Sequence, residues 1–390
     1  MGRTVISLGG SDLVRSFPTP LRQTIWAITD IGAPSLDRAV RVPEAGADAP
    51  AGFGLYLAHG TAFQPRAGEM WLRLPDDLAY LRAGDIVSVA ADGSRVRALW
   101  RADAPVNSLL LTERCDNYCL MCSQPPKDKV DDWLLDQAHQ VIELLPEETP
   151  GFILTGGEPT LYGEALLGLL RECRERLPET QIHLLSNGRR FADPRFAAGY
   201  ADIGHPGLMV GIPLYGAEPS LHDYVVQASG AFDETVDGIL NLAEHGQRVE
   251  IRVVVHRQTV PALVEIAEFI ARNLPFVEQV SLMGLEDTGL ARPNRDLLWI
   301  DPLDYRDELR EAALLLSGTG LRAQVYNHQL CVTDPAIWHL CVRAISDWKN
   351  RYLEVCQRCE MRETCGGTFS TSGRLSEHLH PISVLGAPLR

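Results

Sequence analysis

The stretch SLLLTERCDNYCLMCSQPP, residues 108–126, joins a short apolar run to a loop with three closely spaced cysteines. Cys115, Cys119 and Cys122 are three of the nine cysteines in a chain of 390 residues. Thiolates on a tight loop suit soft metals, and iron–sulfur clusters are held mainly by such cysteines. A structural zinc site completed by a distant ligand is the alternative, although such sites usually have paired ligands. The spacing therefore predicts a metal centre directly after a strand.

Short apolar runs alternate with amphipathic segments from Asn107 onward. The strand candidates are residues 108–112, 151–157, 181–188, 207–216, 249–256 and 277–285. This alternation indicates parallel pairing, either in an open wound sheet or in an incomplete β/α barrel. Chemistry in such folds belongs at the carboxyl ends of the strands, and the cysteine loop follows the first candidate.

The remaining parts of the chain have signals of their own. Residues 1–105 contain no cysteine, and Asp92-Gly93 lies between two alternating runs, which is typical of a β-hairpin. Near the other end, Cys356, Cys359 and Cys365 have a spacing that predicts a second metal site, of zinc or iron–sulfur type. We expect a small β-containing N-terminal module (1–105), a β/α barrel (106–320) and a C-terminal cysteine-rich region (321–390).

Charge and hydropathy exclude some classes of partner. The formal net charge is -15 and the pI is about 5.2, so a nucleic-acid backbone would be repelled. No apolar run approaches the roughly 18 residues of a membrane span, and the N-terminus lacks the order of a signal peptide. We therefore expect a cytoplasmic protein with neither nucleic acid nor membrane as partner. In that compartment, clustered cysteines are metal ligands more often than disulfides.

The cysteine loop after the first strand and GGEP (156–159) after the second resemble the radical S-adenosylmethionine (SAM) superfamily. The resemblance implies a partial (β/α)6 TIM-like barrel in which three cysteines bind three irons of a [4Fe-4S] cluster. The fourth iron is left for the amino and carboxylate groups of SAM. Reductive cleavage then gives a 5'-deoxyadenosyl radical that takes a hydrogen atom from the substrate, while the protein positions the reactants and excludes water.

The resemblance also implies residues that contact SAM. Gly156, Gly157, Glu158 and Pro159 match the stretch that meets the methionine amino group, where glycines permit close approach and the glutamate supplies negative charge. An ordinary strand-to-helix turn is the structural alternative.

Three further positions carry over from the same resemblance. Ser186 and Asn187 match a strand end that bonds ribose or carboxylate, and a plain Asn-Gly turn is the competing interpretation. Arg252 is expected to meet the carboxylate, unless it is a surface arginine on an edge strand. Met121 holds the position whose backbone contacts adenine. No residue is assigned as a catalytic acid, base or radical relay.

The C-terminal cysteines resemble a truncated form of the auxiliary-cluster (SPASM or twitch-like) domains of radical SAM peptide maturases. Phe369 stands where a further cysteine is usual, so the fourth ligand must come from elsewhere. We favour Cys331, with Cys341 as its rival. A second [4Fe-4S] cluster with four thiolates would not bind SAM and would serve electron transfer or substrate placement.

Several stretches resemble one subgroup, the C-type radical SAM maturases of His-Xaa-Ser repeat peptide systems (HxsC). They are residues 107–128, 155–161, 185–191, 326–331, 344–350 and 365–373. The resemblance implies a ribosomal precursor peptide as substrate, a reduced flavodoxin or ferredoxin-type electron donor, and a second radical SAM maturase as partner. The N-terminal module is a candidate for binding the peptide leader by strand addition. A radical SAM enzyme acting on a small molecule, or a non-catalytic metal-binding scaffold for another maturase, are the alternatives.

Overall fold

The computed structural model describes residues 15–16, 24–30, 35–42, 51–59, 64, 66–344 and 350–383. The chain divides into two compact units. One comprises Met1–Leu109 and Asp136–Pro146, and the other comprises Leu110–Leu135 and Glu147–Arg390. The boundaries expected at 105/106 and 320/321 stay predictions.

The first unit contains a mixed seven-stranded sheet in the order β1-β5-β4-β3-β2-β6-β7. Its strands are β1 (Arg15–Ser16), β2 (Ile25–Thr29), β3 (Arg38–Val42), β4 (Leu55–His59), β5 (Trp71–Leu74), β6 (Ile86–Val89) and β7 (Val96–Trp100). Neighbours from β2 to β5 are parallel, whereas β6 and β7 form the antiparallel hairpin predicted around Asp92-Gly93. Gly93 has a φ of 71°, a value that suits the tight turn of such a hairpin.

The second sheet is parallel from β9 to β15 and has the order β15-β14-β13-β12-β11-β10-β9-β8. Its strands are β8 (Asn107–Leu110), β9 (Gly151–Thr155), β10 (Gln181–Leu185), β11 (Leu208–Pro213), β12 (Arg248–Val255), β13 (Gln279–Gly284), β14 (Arg322–Tyr326) and β15 (Cys341–Val342). All six predicted strands are confirmed, and the α/β half-barrel class with them. The count of six is too low, because β14 and β15 continue the sheet.

Helices alternate with these strands, as a parallel sheet requires. They are α1 (Trp133–Leu144), α2 (Glu164–Arg176), α3 (Pro194–Ala201), α4 (Pro219–Val226), α5 (Ala231–Glu244), α6 (Leu263–Asn273), α7 (Arg295–Leu298) and α8 (Arg306–Gly318). Helix α6 buries Leu263, Ile266, Ala267 and Ile270, the three-and-four spacing of an amphipathic helix. Across the part of the chain that is described, we find no helix with the length and apolarity of a membrane span.

Candidate functional site

A cavity of about 370 Å³ lies at the carboxyl ends of the parallel strands. Most of the residues predicted for the first metal centre and for SAM line it: Cys115, Cys119, Met121, Cys122, Gly156, Gly157, Ser186, Asn187 and Arg252. Glu158 and Pro159 are not among the lining residues. The fold therefore brings together side chains that come from the ends of β8, β9, β10 and β12.

Asp131 closes the base of the cysteine loop. Its buried carboxylate accepts hydrogen bonds from Thr112 Oγ1 (3.0 Å), the Glu113 N–H (2.5 Å) and Arg114 Nε (3.1 Å). Burial by itself would raise the pKa of Asp131, but these hydrogen bonds and the Arg114 charge lower it. The charged Asp131 carboxylate therefore binds residues 112–114, where the cysteine loop begins after β8.

The end of helix α4 supports the middle of the loop. The Tyr118 N–H donates to the Val226 carbonyl, and the Leu120 N–H donates to the Val225 carbonyl, each at 2.9 Å. Carbonyls in the last turn of a helix have no partner within the helix, so the loop supplies the missing donors. Asn294 Nδ2 also donates to the Leu120 carbonyl at 2.8 Å. The segment that carries Cys119 is therefore braced on two sides.

Arg189 ties the loop to the end of β10. Its NH1 donates to the Asp116 carbonyl and to Asn117 Oδ1, each at 2.8 Å, and its Nε pairs with Glu234 at 2.6 Å. Asn187 Nδ2 donates to Asp116 Oδ1 at 2.6 Å. No role was predicted for Arg189, since nothing in the local pattern links it to a residue 72 positions away.

Backbone contacts explain the two glycines of GGEP. A Cβ on Gly157 would lie 2.0 Å from the Arg114 carbonyl oxygen, and one on Gly156 would lie 2.5 Å from the Thr112 carbonyl oxygen. The Gly157 N–H donates to the Thr112 carbonyl at 2.8 Å. The close approach that glycine permits is therefore made to the start of the cysteine loop, and it fixes that loop against β9.

Glu158 faces donors of the chain itself. Its carboxylate accepts from the Thr160 N–H (3.0 Å) and Oγ1 (2.6 Å), from Ser186 Oγ (2.8 Å) and from the Asn187 N–H (2.6 Å). Burial raises the pKa of Glu158, against these hydrogen bonds. The carboxylate joins the ends of β9 and β10, and its expected contact with the SAM ammonium group stays a prediction. Pro159 begins the adjoining 3-10 turn and is also buried.

Arg252 lies on β12, which is paired on both sides with β11 and β13. The alternative of a surface arginine on an edge strand is therefore wrong. Arg252 lines the cavity, and its NH1 donates to Glu250 Oε2 at 3.2 Å. Arg252 is thus a held cation on the wall that also contains the three cysteines.

The donor set of the loop fits an iron–sulfur cluster. Burial raises the pKa of Cys115 to about 12 and also raises the pKa of the Cys119 and Cys122 thiols, so an incoming metal must displace their protons. Within the described ranges, no three or more His, Cys, Asp or Glu side chains are arranged to bind one metal ion. An iron–sulfur cluster does not require three side chains on one metal ion, because each thiolate binds a different iron.

Four C-terminal cysteines face a second, small cavity of about 20 Å³: Cys331, Cys356, Cys359 and Cys365. The Gly367 N–H donates to Cys365 Sγ at 3.5 Å, and the Ile382 N–H donates to Cys359 Sγ at 3.3 Å. Cys341 does not line this cavity, and its thiol instead contacts the Ile337 carbonyl at 3.4 Å. Cys331 therefore lines the same cavity as the other three, whereas Cys341 lies near Cys365 without lining it.

A curated protein is similar to part of this chain. Fe-coproporphyrin III synthase from Methanosarcina barkeri is 26% identical over 178 residues, which cover 42% of this chain and 41% of that protein.

Solved structures are similar at low identity. SuiB from Streptococcus suis, bound to SAM, has a TM-score of 0.45 and 15% identity over 57% of this chain and 50% of that chain. A radical SAM methyltransferase from Sphaerobacter thermophilus has a TM-score of 0.40 and 18% identity over 65% of this chain and 74% of that chain. At these scores the likenesses decide nothing about activity.

The family model that matches this chain describes the radical SAM superfamily, and it covers residues 109–270. This range includes the three cysteines of the loop, GGEP and Arg252. Residues 109–270 are therefore the part of this chain that is similar to the radical SAM superfamily.

Proposed function

We propose that this chain is a radical SAM enzyme that modifies a ribosomally synthesised peptide. The observation that carries the proposal is the single cavity shared by Cys115, Cys119, Cys122 and Arg252. A [4Fe-4S] cluster with SAM supplies one-electron cleavage of the sulfonium and abstraction of a hydrogen atom from the substrate.

The residues of the chain have distinct parts in this proposal. Cys115, Cys119 and Cys122 hold the cluster, and Asp131 and Arg189 keep their loop in place. Arg252 offers a cation to the SAM carboxylate. The rest of the cofactor would be bordered by the backbone at Gly156, Gly157 and Met121 and by the Ser186 and Asn187 residues. Ser186 is held in place by its hydrogen bond to Glu158. Met121 is held by packing among apolar side chains that include Tyr215 and Val225.

A peptide is the proposed substrate because the motifs resemble maturases of His-Xaa-Ser peptide systems. SuiB, a protein of similar fold, has been crystallised with its precursor peptide SuiA. The proposed partners are the precursor peptide, a flavodoxin or ferredoxin-type donor and a second maturase. The N-terminal module is the proposed site for the peptide leader. The alternative substrate is a small molecule, for which the relative named Fe-coproporphyrin III synthase is the precedent.

We also propose an auxiliary [4Fe-4S] cluster on Cys331, Cys356, Cys359 and Cys365. Their shared cavity supports this ligand set. Backbone N–H groups also donate to two of the sulfurs, those of Cys365 and Cys359. Four thiolates would use every iron of the cube, so this site would not bind SAM.

Anaerobic reconstitution with iron and sulfide tests the catalytic proposal. We expect about eight irons per chain, as two four-iron clusters require, and formation of 5'-deoxyadenosine from SAM with a strong reductant. Cys119→Ala should abolish deoxyadenosine. Cys173→Ala is the matched control, because Cys173 is fully buried in α2 and lines neither cysteine cavity. Stoichiometric zinc without deoxyadenosine would instead identify a metal-binding scaffold.

The peptide substrate needs its own test. An active preparation is incubated with SAM, reductant and a precursor peptide containing His-Xaa-Ser repeats, and the peptide is examined by mass spectrometry. We expect a mass change that Cys119→Ala abolishes. An unchanged peptide in a preparation that still cleaves SAM would favour the small-molecule alternative.

A further inference from the structure

A polar layer lies within the parallel sheet, beneath the cavity. It consists of His183 on β10, Glu250 and Arg252 on β12, and Gln279 and Ser281 on β13. Glu250 is only 2% exposed. Because a buried charge is costly unless it is paired and hydrogen-bonded, its partners must compensate for the lost water.

Both oxygens of Glu250 are occupied by groups of the chain. Oε1 accepts hydrogen bonds from Gln279 Nε2 at 2.9 Å and from Ser281 Oγ. Oε2 accepts from Arg252 NH1 at 3.2 Å and lies 3.0 Å from His183 Nε2. Burial would raise the pKa of Glu250, but His183, Arg252 and Ser281 hold it at about 2. The carboxylate is therefore ionised at neutral pH and has a fixed orientation.

The contact between His183 and Glu250 depends on a glycine. Strand β11 lies between β10 and β12, and Gly211 of β11 is paired with Glu250. A Cβ on Gly211 would lie 2.7 Å from His183 Nε2 and 3.1 Å from Arg252 Cδ. The absence of a side chain on this central strand thus lets His183 reach across it to Glu250.

The contact with Glu250 restricts the position of the Arg252 side chain. A guanidinium has five N–H donors in a rigid plane, and a contact to Glu250 leaves the others for a ligand. A free arginine side chain would lose rotamer freedom on binding an anion, whereas one already held loses less. We propose that Glu250, supported by His183 across Gly211, is a positioning residue that orients Arg252 toward the carboxylate of SAM. This inference rests on the proposed function.

Binding of SAM to the reconstituted enzyme tests the inference. In Glu250→Gln we expect the dissociation constant of SAM to rise about tenfold, with iron content unchanged. Binding of 5'-methylthioadenosine, which has no carboxylate, should change less than twofold. Glu278→Gln is the matched control, because Glu278 pairs with Arg248 at 2.5 Å and lines none of the cavities described here. It should bind both ligands like the wild type.

Gly211→Ala gives a second route to the same result if Glu250→Gln does not fold. Its Cβ would push His183 and Arg252 apart, and SAM binding should weaken while 5'-methylthioadenosine binding is retained. Gly168→Ala is the control, since nothing lies within 4 Å of the added Cβ.

Wild-type SAM affinity in Glu250→Gln, or equal losses for both ligands in both variants, would overturn the positioning role. The proposed function fails separately, if the wild type itself neither assembles iron nor forms deoxyadenosine.

Discussion

The Gly373 N–H donates a hydrogen bond of 2.8 Å to Asp287 Oδ2, although 86 positions separate the two residues. The same oxygen accepts from Arg295 Nε at 3.0 Å and NH2 at 2.7 Å. A Cβ on Gly373 would lie 2.6 Å from that oxygen, so a larger residue would displace the Asp287 or Arg295 side chain. The chain beyond the last C-terminal cysteine is thus fastened beside Glu286, which lines the larger cavity.

Asp287→Asn should loosen this fastening. The loss of a buried carboxylate that accepts three hydrogen bonds should cost about 2 kcal/mol of stability. Limited proteolysis should then cut residues 369–376 faster than in the wild type, and thermal unfolding should begin earlier. Asp296→Asn, at an exposed position of α7, is the control. Equal cleavage rates in the two variants would show that Asp287 does not hold the segment.

The strands of the second sheet were predictable because each is a short apolar run followed by an amphipathic helix. Strand β14 was missed since Arg322, Gln324 and Tyr326 alternate with Ala323 and Val325, so it has no continuous apolar run. The partnership of Asp287 and Gly373 has no local signal at all. It exists only because the fold returns the C-terminal segment to the end of β13.

The fourth ligand of the auxiliary site can be identified by exchange of single cysteines. Cys331→Ser should lose about four irons after reconstitution, because its thiol faces the cavity of the other three cysteines. Cys341→Ser should retain them, as the Cys341 thiol is turned to the Ile337 carbonyl. Iron and sulfide assays on both variants decide between them, and the opposite result would assign the ligand to Cys341.

Gly157→Ala should damage the loop without touching a cysteine. Its Cβ would meet the Arg114 carbonyl oxygen at 2.0 Å, and backbone atoms on both sides cannot move independently. We expect a loss of about 3 kcal/mol or more, together with the loss of about four irons because the cysteines no longer share one wall. Gly318→Ala is the control, since its Cβ would meet nothing within 4 Å. A normal iron content in Gly157→Ala would show that the cysteine loop still binds its cluster when the end of β9 shifts.

Part of the site could be predicted from the sequence. The cysteines, Gly156, Gly157 and Arg252 belong to recognisable local motifs, and they line one cavity. The groups that hold them are remote in sequence. Glu250 stands two residues before Arg252, so their shared strand face was visible, but His183 and the gap at Gly211 become relevant only when β10, β11 and β12 lie side by side.

Acid unfolding should reveal the ionised Glu250. Its folded-state pKa of about 2 lies below the ordinary value of 4.5, so its contribution is complete above pH 4.5 and is lost as the pH falls toward 2. The contribution is at most about 3.5 kcal/mol, because one pKa unit corresponds to about 1.4 kcal/mol. Urea unfolding of the full-length chain at pH 5 and pH 3 should therefore show a smaller pH effect in Glu250→Gln than in the wild type. Glu265→Gln, at an exposed position of α6, should behave like the wild type. The same pH dependence in all three proteins would mean that Glu250 is not held as a buried carboxylate. It would then also contradict the proposal that Glu250 orients Arg252.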